Sequence, residues 1–174
     1  MRIAVITFAG SFFLATLAGA LPARAQAKDY LSAEEADKIR DADTPADRIR
    51  LFISFADDRI KKLQYEFTHL DDVVHRVDRI DGLINSYTGC VDDGADLIDL
   101  GVEKQDDIRS AVKEMQARGP EWLAYLKELS AKPGEAQDHK DNLDDAIDAT
   151  TDAMKSADDA SKEVAPPPVR RSPK

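Results

Sequence analysis

The chain has 174 residues, enough for one domain with a hydrophobic core. Charged residues make up 33% of it and there are only 8 Gly and 8 Pro, which favours a helical protein with long solvated faces over a β-sandwich. The formal net charge is -10, so the overall field repels nucleic acid and anionic lipid. We expect no nucleic-acid partner; a basic protein or a cation stays open.

Residues 1–27 have the pattern of a cleavable signal peptide. Arg2 gives a positive start, residues 3–21 are apolar, Pro22 breaks any helix, and small residues alternate up to Ala27. The alternative is an uncleaved anchor, because an apolar run of about 18 residues can span a bilayer. The pattern predicts an exported protein, periplasmic or extracellular, that meets the membrane only through the signal peptide before cleavage.

Cys90 is the sole cysteine, which excludes an internal disulfide. We interpret it as a small, half-buried helical residue, with an intermolecular disulfide or a reactive thiol as the alternatives. The sequence has no CxxCH motif, so covalent attachment of a c-type haem is excluded.

Two helix starts follow the signal peptide. Ser32 and Glu35 form a capping box that begins a short helix over 32–41. Thr44 caps a second helix over 45–67, in which Pro45 takes the first position. The apolar stripe of the second helix is Ile49, Ile53, Ala56, Ile60, Leu63 and Phe67.

The apolar face of the second helix is wider than this stripe. Leu51, Phe52 and Phe55 lie beside it. Part of this face is expected to pack on the short leading helix, and the alternative is a dimer surface.

A central helix is predicted over 72–100. Its apolar residues repeat every three or four positions, as in a coiled coil, for about four heptads. The stripe is Val73, Val77, Ile80, Ile84, Tyr87, Val91, Gly94 and Ile98. A register shift near 68–72 separates this helix from the second one. Gly101 is predicted to end it in the left-handed cap conformation.

Two further helices are predicted over 103–131 and 135–164, separated by a Lys-Pro-Gly stop. The first stripe is Ile108, Val112, Met115, Gly119, Trp122, Leu126 and Leu129. It keeps its register through Pro120, which predicts one kinked helix, with two shorter helices as the alternative. The second stripe is Leu143, Ile147, Thr150, Met154, Ala157 and Val164. Residues 165–174 are predicted to form a disordered, Pro-rich basic tail.

These elements predict an all-α domain over 28–164. Four helices of similar length joined by short connections are typical of an antiparallel up-down-up-down four-helix bundle, here with a short N-terminal helix. The architecture resembles that of exported four-helix bundles, but without a shared motif the likeness implies no function.

Motifs of catalysis are missing from the sequence. It has no Gly-x-Ser-x-Gly, no phosphate loop and no dinucleotide fingerprint. The acidic run at 92–96 lacks the order of an EF-hand loop and is interpreted as a solvated face. We therefore expect a non-enzymatic protein without a cofactor.

The three histidines are the candidate metal ligands. In an antiparallel bundle His69, His75 and His139 fall at one end, here called the histidine pole. Glu66 and His69 have the Glu-x-x-His spacing of di-iron bundles, but those sites need a second such pair and two more Glu. We interpret the three as surface histidines near helix ends, with a metal site as the alternative.

The opposite end is acidic. Its carboxylates are Asp92, Asp93, Asp96, Asp99, Glu103, Asp106 and Asp107. Arg48 and Arg50 are predicted to lie there and to offset this cluster. A cation or a basic partner is the functional alternative.

The sequence thus predicts an exported interaction or structural protein, a monomer or a homodimer, that uses helix faces such as the one around Phe52 and Phe55. The alternative is a metal- or small-ligand-binding bundle that uses the histidine pole. The partner is not identified by the sequence.

Overall fold

The computed structural model describes residues 30–69 and 75–163. Within these ranges the chain is 88% helix and has no strand, which confirms the all-α class. The predicted signal peptide and the C-terminal tail lie outside the described residues. The helices are α1 Ala33–Asp41, α2 Pro45–Thr68, α3 Arg76–Lys104, α4 Arg109–Ser130, a 3₁₀ helix Glu135–His139 and α5 Lys140–Glu163.

The starts of α1 and α2 form through local side-chain chemistry. The Ser32 hydroxyl accepts from the Glu35 N–H at 3.2 Å, and the Glu35 carboxylate accepts from the Ser32 N–H at 2.9 Å. Thr44 accepts from the Asp47 N–H at 3.1 Å, and Pro45 is the first residue of α2. Both predicted caps are confirmed, because each satisfies N–H groups that have no partner inside the helix.

The core lies between the four long helices. α2 packs on α3 and α4, α5 packs on the same two helices, and α1 contacts α2. Trp122 and Tyr87 are buried at its centre with their rings edge to face, 5.9 Å apart. The Tyr87 hydroxyl is 2.7 Å from Thr150 Oγ1, which joins α3 to α5.

The predicted topology requires every pair of neighbouring helices to be antiparallel. Two of the packed pairs are parallel instead. On α2 and α4 the residue numbers of contacting pairs rise together, from Arg50 with Ser110 to Asp57 with Trp122, so these helices run parallel. The same holds for α3 and α5. α3 and α4 are not among the main packed pairs, although they follow each other in the chain.

α3 ends one turn later than predicted, and Gly101 is not its cap. Gly101 is buried inside the helix, and Gln105 ends it with a left-handed φ of 59°. A Cβ on Gly101 would lie 2.8 Å from Ile108 Cγ2, so the glycine is needed for the close approach of Ile108. Residues 105–108 form the connection between α3 and α4, in which Ile108 packs on Gly101. α4 therefore begins at Arg109 and not at 103.

The predicted stripe of α3 is wrong in its first turn. Val77 is 47% exposed, whereas Arg76 is only 4% exposed. The Arg76 guanidinium donates to the backbone carbonyls of Glu66 and His69 at the end of α2. Carbonyls at a helix end need donors from elsewhere, so a cation takes the inward position and the apolar stripe starts at Ile80.

α4 continues through Pro120 as one helix, which excludes the two-helix alternative. Gly119 beside it is buried, and a Cβ there would lie 2.6 Å from Met154 Cγ on α5. α4 therefore approaches α5 closely at this point.

The core face of α5 differs from the predicted stripe. Its buried residues are Leu143, Ala146, Thr150, Ala153, Ala157 and Ala160. Ile147 and Met154 are only half-buried. Small side chains allow α5 to lie close to α3 and α4, so the inward face is lined mainly by alanine. α5 also begins at Lys140, after the 3₁₀ helix, and not at 135.

Candidate functional site

The predicted interaction face around Phe52 and Phe55 is not a surface. The two rings are 3% and 7% exposed. Leu31, just before α1, and Ile39, within α1, pack against the same core. The segment that contains α1 thus packs over the wide apolar face of α2, which the sequence analysis considered as a possible dimer surface.

An ion pair fixes α1 to α2. Arg59 Nη1 and Nη2 lie 2.5 and 2.7 Å from the two Glu35 carboxylate oxygens. The Arg59 side chain is 9% exposed and that of Glu35 15%. The hydrogen bond from Arg59 lowers the pKa of Glu35 to about 2, and the pKa of Arg59 is raised by the same contact.

The segment before α1 packs against α3. A Cβ on Gly89 would lie 2.7 Å from Tyr30 Cδ1, so the tyrosine ring lies directly on the glycine. A side chain at 89 would displace the ring, because 2.7 Å is inside van der Waals contact. The absence of a side chain at Gly89 therefore allows the Tyr30 ring to pack directly on the backbone of α3. We call such a position an aromatic seat.

A groove lies between α2 and α3. Its volume is about 610 Å³. The residues that line this α2/α3 groove are Arg59, Lys61, Lys62, Tyr65, Glu66, Arg79, Gly82, Leu83 and Ser86. Arg59 connects it to α1, since its guanidinium is held by Glu35.

Gly82, in this groove, differs from the other helical glycines of the described residues. A Cβ on Gly82 would meet no atom within 4 Å. The others are each packed by a side chain: Gly89 by Tyr30, Gly94 by Met115, Gly101 by Ile108 and Gly119 by Met154. Glycine inside a helix costs about 1 kcal/mol relative to alanine. At Gly82 no packing within the described chain offsets that cost.

One wall of the groove is aromatic. Tyr65 is 59% exposed, and its ring stacks on His69 with the centroids 4.0 Å apart and the planes at 14°. Such a pair presents a flat apolar surface to solvent.

The cations on the rim of the groove are each paired with a carboxylate. Lys61 and Lys62 are 69% and 58% exposed, and each pairs with an aspartate four residues earlier at 2.7 Å. Arg79 pairs with Glu66 at 3.3 Å. An exposed pair such as Lys62–Asp58 contributes only about 0.2–1 kcal/mol.

Among the described residues, the candidate ligands at the histidine pole are not grouped together. His69 is exposed in its stack with Tyr65, His75 is exposed just before α3 with a φ of 59°, and Glu66 is held by Arg79. In the described part of the chain, no group of three or more His, Cys, Asp or Glu is placed to hold a metal ion.

His139 is the exception among the histidines, because it is buried at 1% exposure and not at the surface as predicted. Its Nδ1 lies 2.8 Å from Asp81 Oδ1, which also accepts from Asn142 Nδ2 at 2.7 Å. Its ring meets Phe67 edge to face at 6.1 Å. Nε2 is buried without a hydrogen-bond partner among the described residues. No sequence signal marked Asp81 as the partner, since it lies on another helix.

Of the two α2 arginines predicted at the acidic pole, Arg50 lies there, because it donates to the Ser110 hydroxyl at the start of α4, three residues after Asp107. Arg48 donates to the Ala42 carbonyl at 3.3 Å, and Arg50 pairs with Asp47 at 2.6 Å. The pKa of Asp92 is raised, mainly by burial and to a lesser extent by the charges of neighbouring aspartates. Cys90, on the same helix, is fully buried and not half-buried as predicted.

Within the described ranges, every helix is too short or too polar to cross a lipid bilayer. Comparison of the chain with protein-family models, with curated proteins and with solved structures finds no match.

Proposed function

We propose that this chain is an exported, non-enzymatic interaction protein that binds its partner in the α2/α3 groove. The observation that carries the proposal is the open position at Gly82. A glycine that weakens its helix and packs nothing in its own described chain is explained if it leaves room for a bound group.

The proposed scaffold is a four-helix bundle of α2 to α5 with α1 on its side. The main packed pairs follow a ring in the order α2, α3, α5, α4, which supports it. Consecutive helices alternate in direction, but α3 and α4 are placed on a diagonal in this arrangement. α2 and α3 are then neighbours whose outer surfaces are free to form the groove.

Export rests on the sequence of residues 1–27. N-terminal sequencing of the protein recovered outside the cytoplasm tests it. A mature chain that begins at Lys28 supports export with cleavage, an intact start at Met1 in that fraction supports the uncleaved anchor, and a protein found only in the cytoplasm overturns export.

The test of the groove is a site-specific photo-crosslink in the native host. The photoreactive residue benzoylphenylalanine replaces Tyr65, which is aromatic and exposed, and the control replaces Ala117, which is exposed on α4. We expect an adduct of discrete mass from position 65 only, and its loss when Gly82→Leu fills the groove. Equal adducts from both positions, or an adduct that Gly82→Leu leaves unchanged, would overturn the groove as the binding surface.

Small-ligand binding at the histidine pole is the second candidate. It rests on His139 Nε2, a buried nitrogen without a partner in the described chain. Calorimetric titration with zinc, copper and nickel, in the wild type and in His139→Gln, tests the metal form of this proposal. Binding tighter than tens of micromolar that His139→Gln abolishes supports it, and heats that are equal in the two proteins contradict it.

A further inference from the structure

We propose that residues 30–41, the segment that contains α1, form a strap that opens and closes while the four long helices stay folded. The strap covers an apolar face of α2 and α3, and its opening uncovers Phe55 and Cys90. This inference goes beyond the proposed function, and it does not depend on the α2/α3 groove as a binding surface.

α1 depends on the bundle for its stability. It has nine residues, and none of them is buried. Isolated helices shorter than about 12–15 residues are marginal in water, so α1 persists through its contacts with the bundle. It packs mainly on α2, and residues 42–44 join the two helices. Rotation of the backbone at residues 42 and 43 can therefore move α1 without breaking the cap of α2 at Thr44.

The contacts of α1 with the bundle are fewer than those of the long helices. The Glu35–Arg59 ion pair is one of them, and Leu31 and Ile39 add two partly buried side chains. Each of the four long helices, by contrast, buries at least six residues. Segments with few buried apolar contacts open at a lower free energy than the core does. The strap is therefore expected to open before the bundle unfolds.

Phe55 lies under the ion pair that closes the strap. The guanidinium carbon of Arg59 is 5.9 Å from the centroid of the Phe55 ring, a distance at which a cation and an aromatic ring attract each other. The ring is only 7% exposed. When Glu35 leaves with α1, Arg59 loses the partner that holds it in this position, and the apolar face of α2 becomes accessible.

Cys90 lies beside the second contact of the strap. The Tyr30 ring packs on Gly89, and Cys90, the next residue, is completely buried. The pKa of Arg59 is raised mainly by Glu35 and to a smaller extent by Cys90, which is consistent with a thiol close to the guanidinium. Opening of the strap removes Tyr30 and releases Arg59, so a small reagent can then reach the thiol.

The experiment measures the alkylation of Cys90 by iodoacetamide, in which the thiolate displaces iodide. Cys90 is the sole cysteine, so the mass gain of the intact, full chain reports on it alone. We expect slow alkylation of the folded protein. The rate should rise with urea less steeply than global unfolding does, because opening of the strap exposes less surface.

Variants show whether the strap controls access to Cys90. Glu35→Gln is expected to speed alkylation about tenfold, since it removes the charge that pairs with Arg59. Ile39→Ala removes an apolar contact and no charge, and should act in the same direction. Glu34→Gln, at an exposed position of α1, is the matched control and should leave the rate unchanged. His139→Ala destabilises the bundle outside the strap and should also leave it unchanged.

Hydrogen exchange followed by mass spectrometry tests the opening without the thiol. The amides of α1 are expected to exchange faster than those of α2 and α3, and faster still in Glu35→Gln. Equal protection of α1 and α2 would show that the strap unfolds only with the bundle. Alkylation that Glu35→Gln leaves unchanged, or that His139→Ala speeds equally, would show that the strap does not control access to Cys90. Either result overturns the inference, whereas the Tyr65 crosslink tests the groove separately.

Discussion

Arg76, the first residue of α3, donates from its guanidinium to the backbone carbonyl of His69, 3.0 Å away, just beyond the end of α2. It also donates to the carbonyl of Glu66, so one buried side chain caps the preceding helix. Its position fixes where α3 starts relative to α2, and hence how the two helices align along the groove.

Replacing Arg76 by Met is expected to destabilise the protein by about 1–3 kcal/mol, because the carbonyls it serves lose charged donors. Val77→Lys, at the exposed neighbour, is expected to change stability by no more than about 0.5 kcal/mol. Urea denaturation followed by circular dichroism measures both. A larger loss for Val77→Lys than for Arg76→Met would restore the apolar stripe that the sequence predicted.

The start of α3 illustrates what the sequence pattern can and cannot predict. The caps at Ser32 and Thr44 were predictable, because residues three positions apart complete them. The apolar spacing at 73, 77 and 80 is equally regular, yet Arg76 is the inward residue. Its partners are backbone carbonyls of another helix, and a pattern along one helix carries no information about them.

The glycines show the same limit. The sequence assigned a cap to Gly101 from its position near the end of a stripe, whereas its role depends on the contact with Ile108. The sequence places Gly82 inside a predicted helix, but it does not predict a groove there. Gly82 and Gly89 look alike in the sequence, and only the position of Tyr30 distinguishes the filled seat from the open one.

Substitution by alanine should change the stability of the protein in opposite directions at Gly82 and Gly101. Gly82→Ala is expected to stabilise the protein by about 0.5–1 kcal/mol, because alanine is the better helix former and the added methyl meets no atom. Gly101→Ala is expected to destabilise it by about 1–2 kcal/mol, since the methyl would lie 2.8 Å from the fully buried Ile108. The urea midpoints of the two variants measure this, and a loss of stability in Gly82→Ala would show that this position is packed.

The buried polar contact at the histidine pole should be worth a measurable amount. Replacing His139 by Ala is expected to cost about 2–3 kcal/mol, because it leaves a cavity beside Phe67 and removes the partner of Asp81. His75→Ala, at an exposed histidine, is expected to cost less than about 0.5 kcal/mol. Thermal unfolding of the two variants compares them directly, and equal melting temperatures would contradict the burial of His139.

The Glu35–Arg59 pair should make stability depend on acid pH. The pKa of Glu35 is lowered from 4.5 to about 2 in the folded protein, chiefly by the hydrogen bond from Arg59. A lowered folded pKa stabilises the protein above the unfolded pKa, and this contribution is lost as the pH falls from about 4.5 toward 2. Glu35→Gln is therefore expected to be about 2 kcal/mol less stable than the wild type at pH 7, after allowance for screening by solvent. The difference should shrink as the pH falls and vanish near pH 2.

Urea titrations at several pH values measure this difference in stability, with Glu34→Gln, at an exposed neighbour on α1, as the control. Glutamine can still complete the capping box with Ser32, so the comparison isolates the charge. A deficit that stays constant with pH would show that the carboxylate of Glu35 contributes through its shape and not through its ion pair with Arg59.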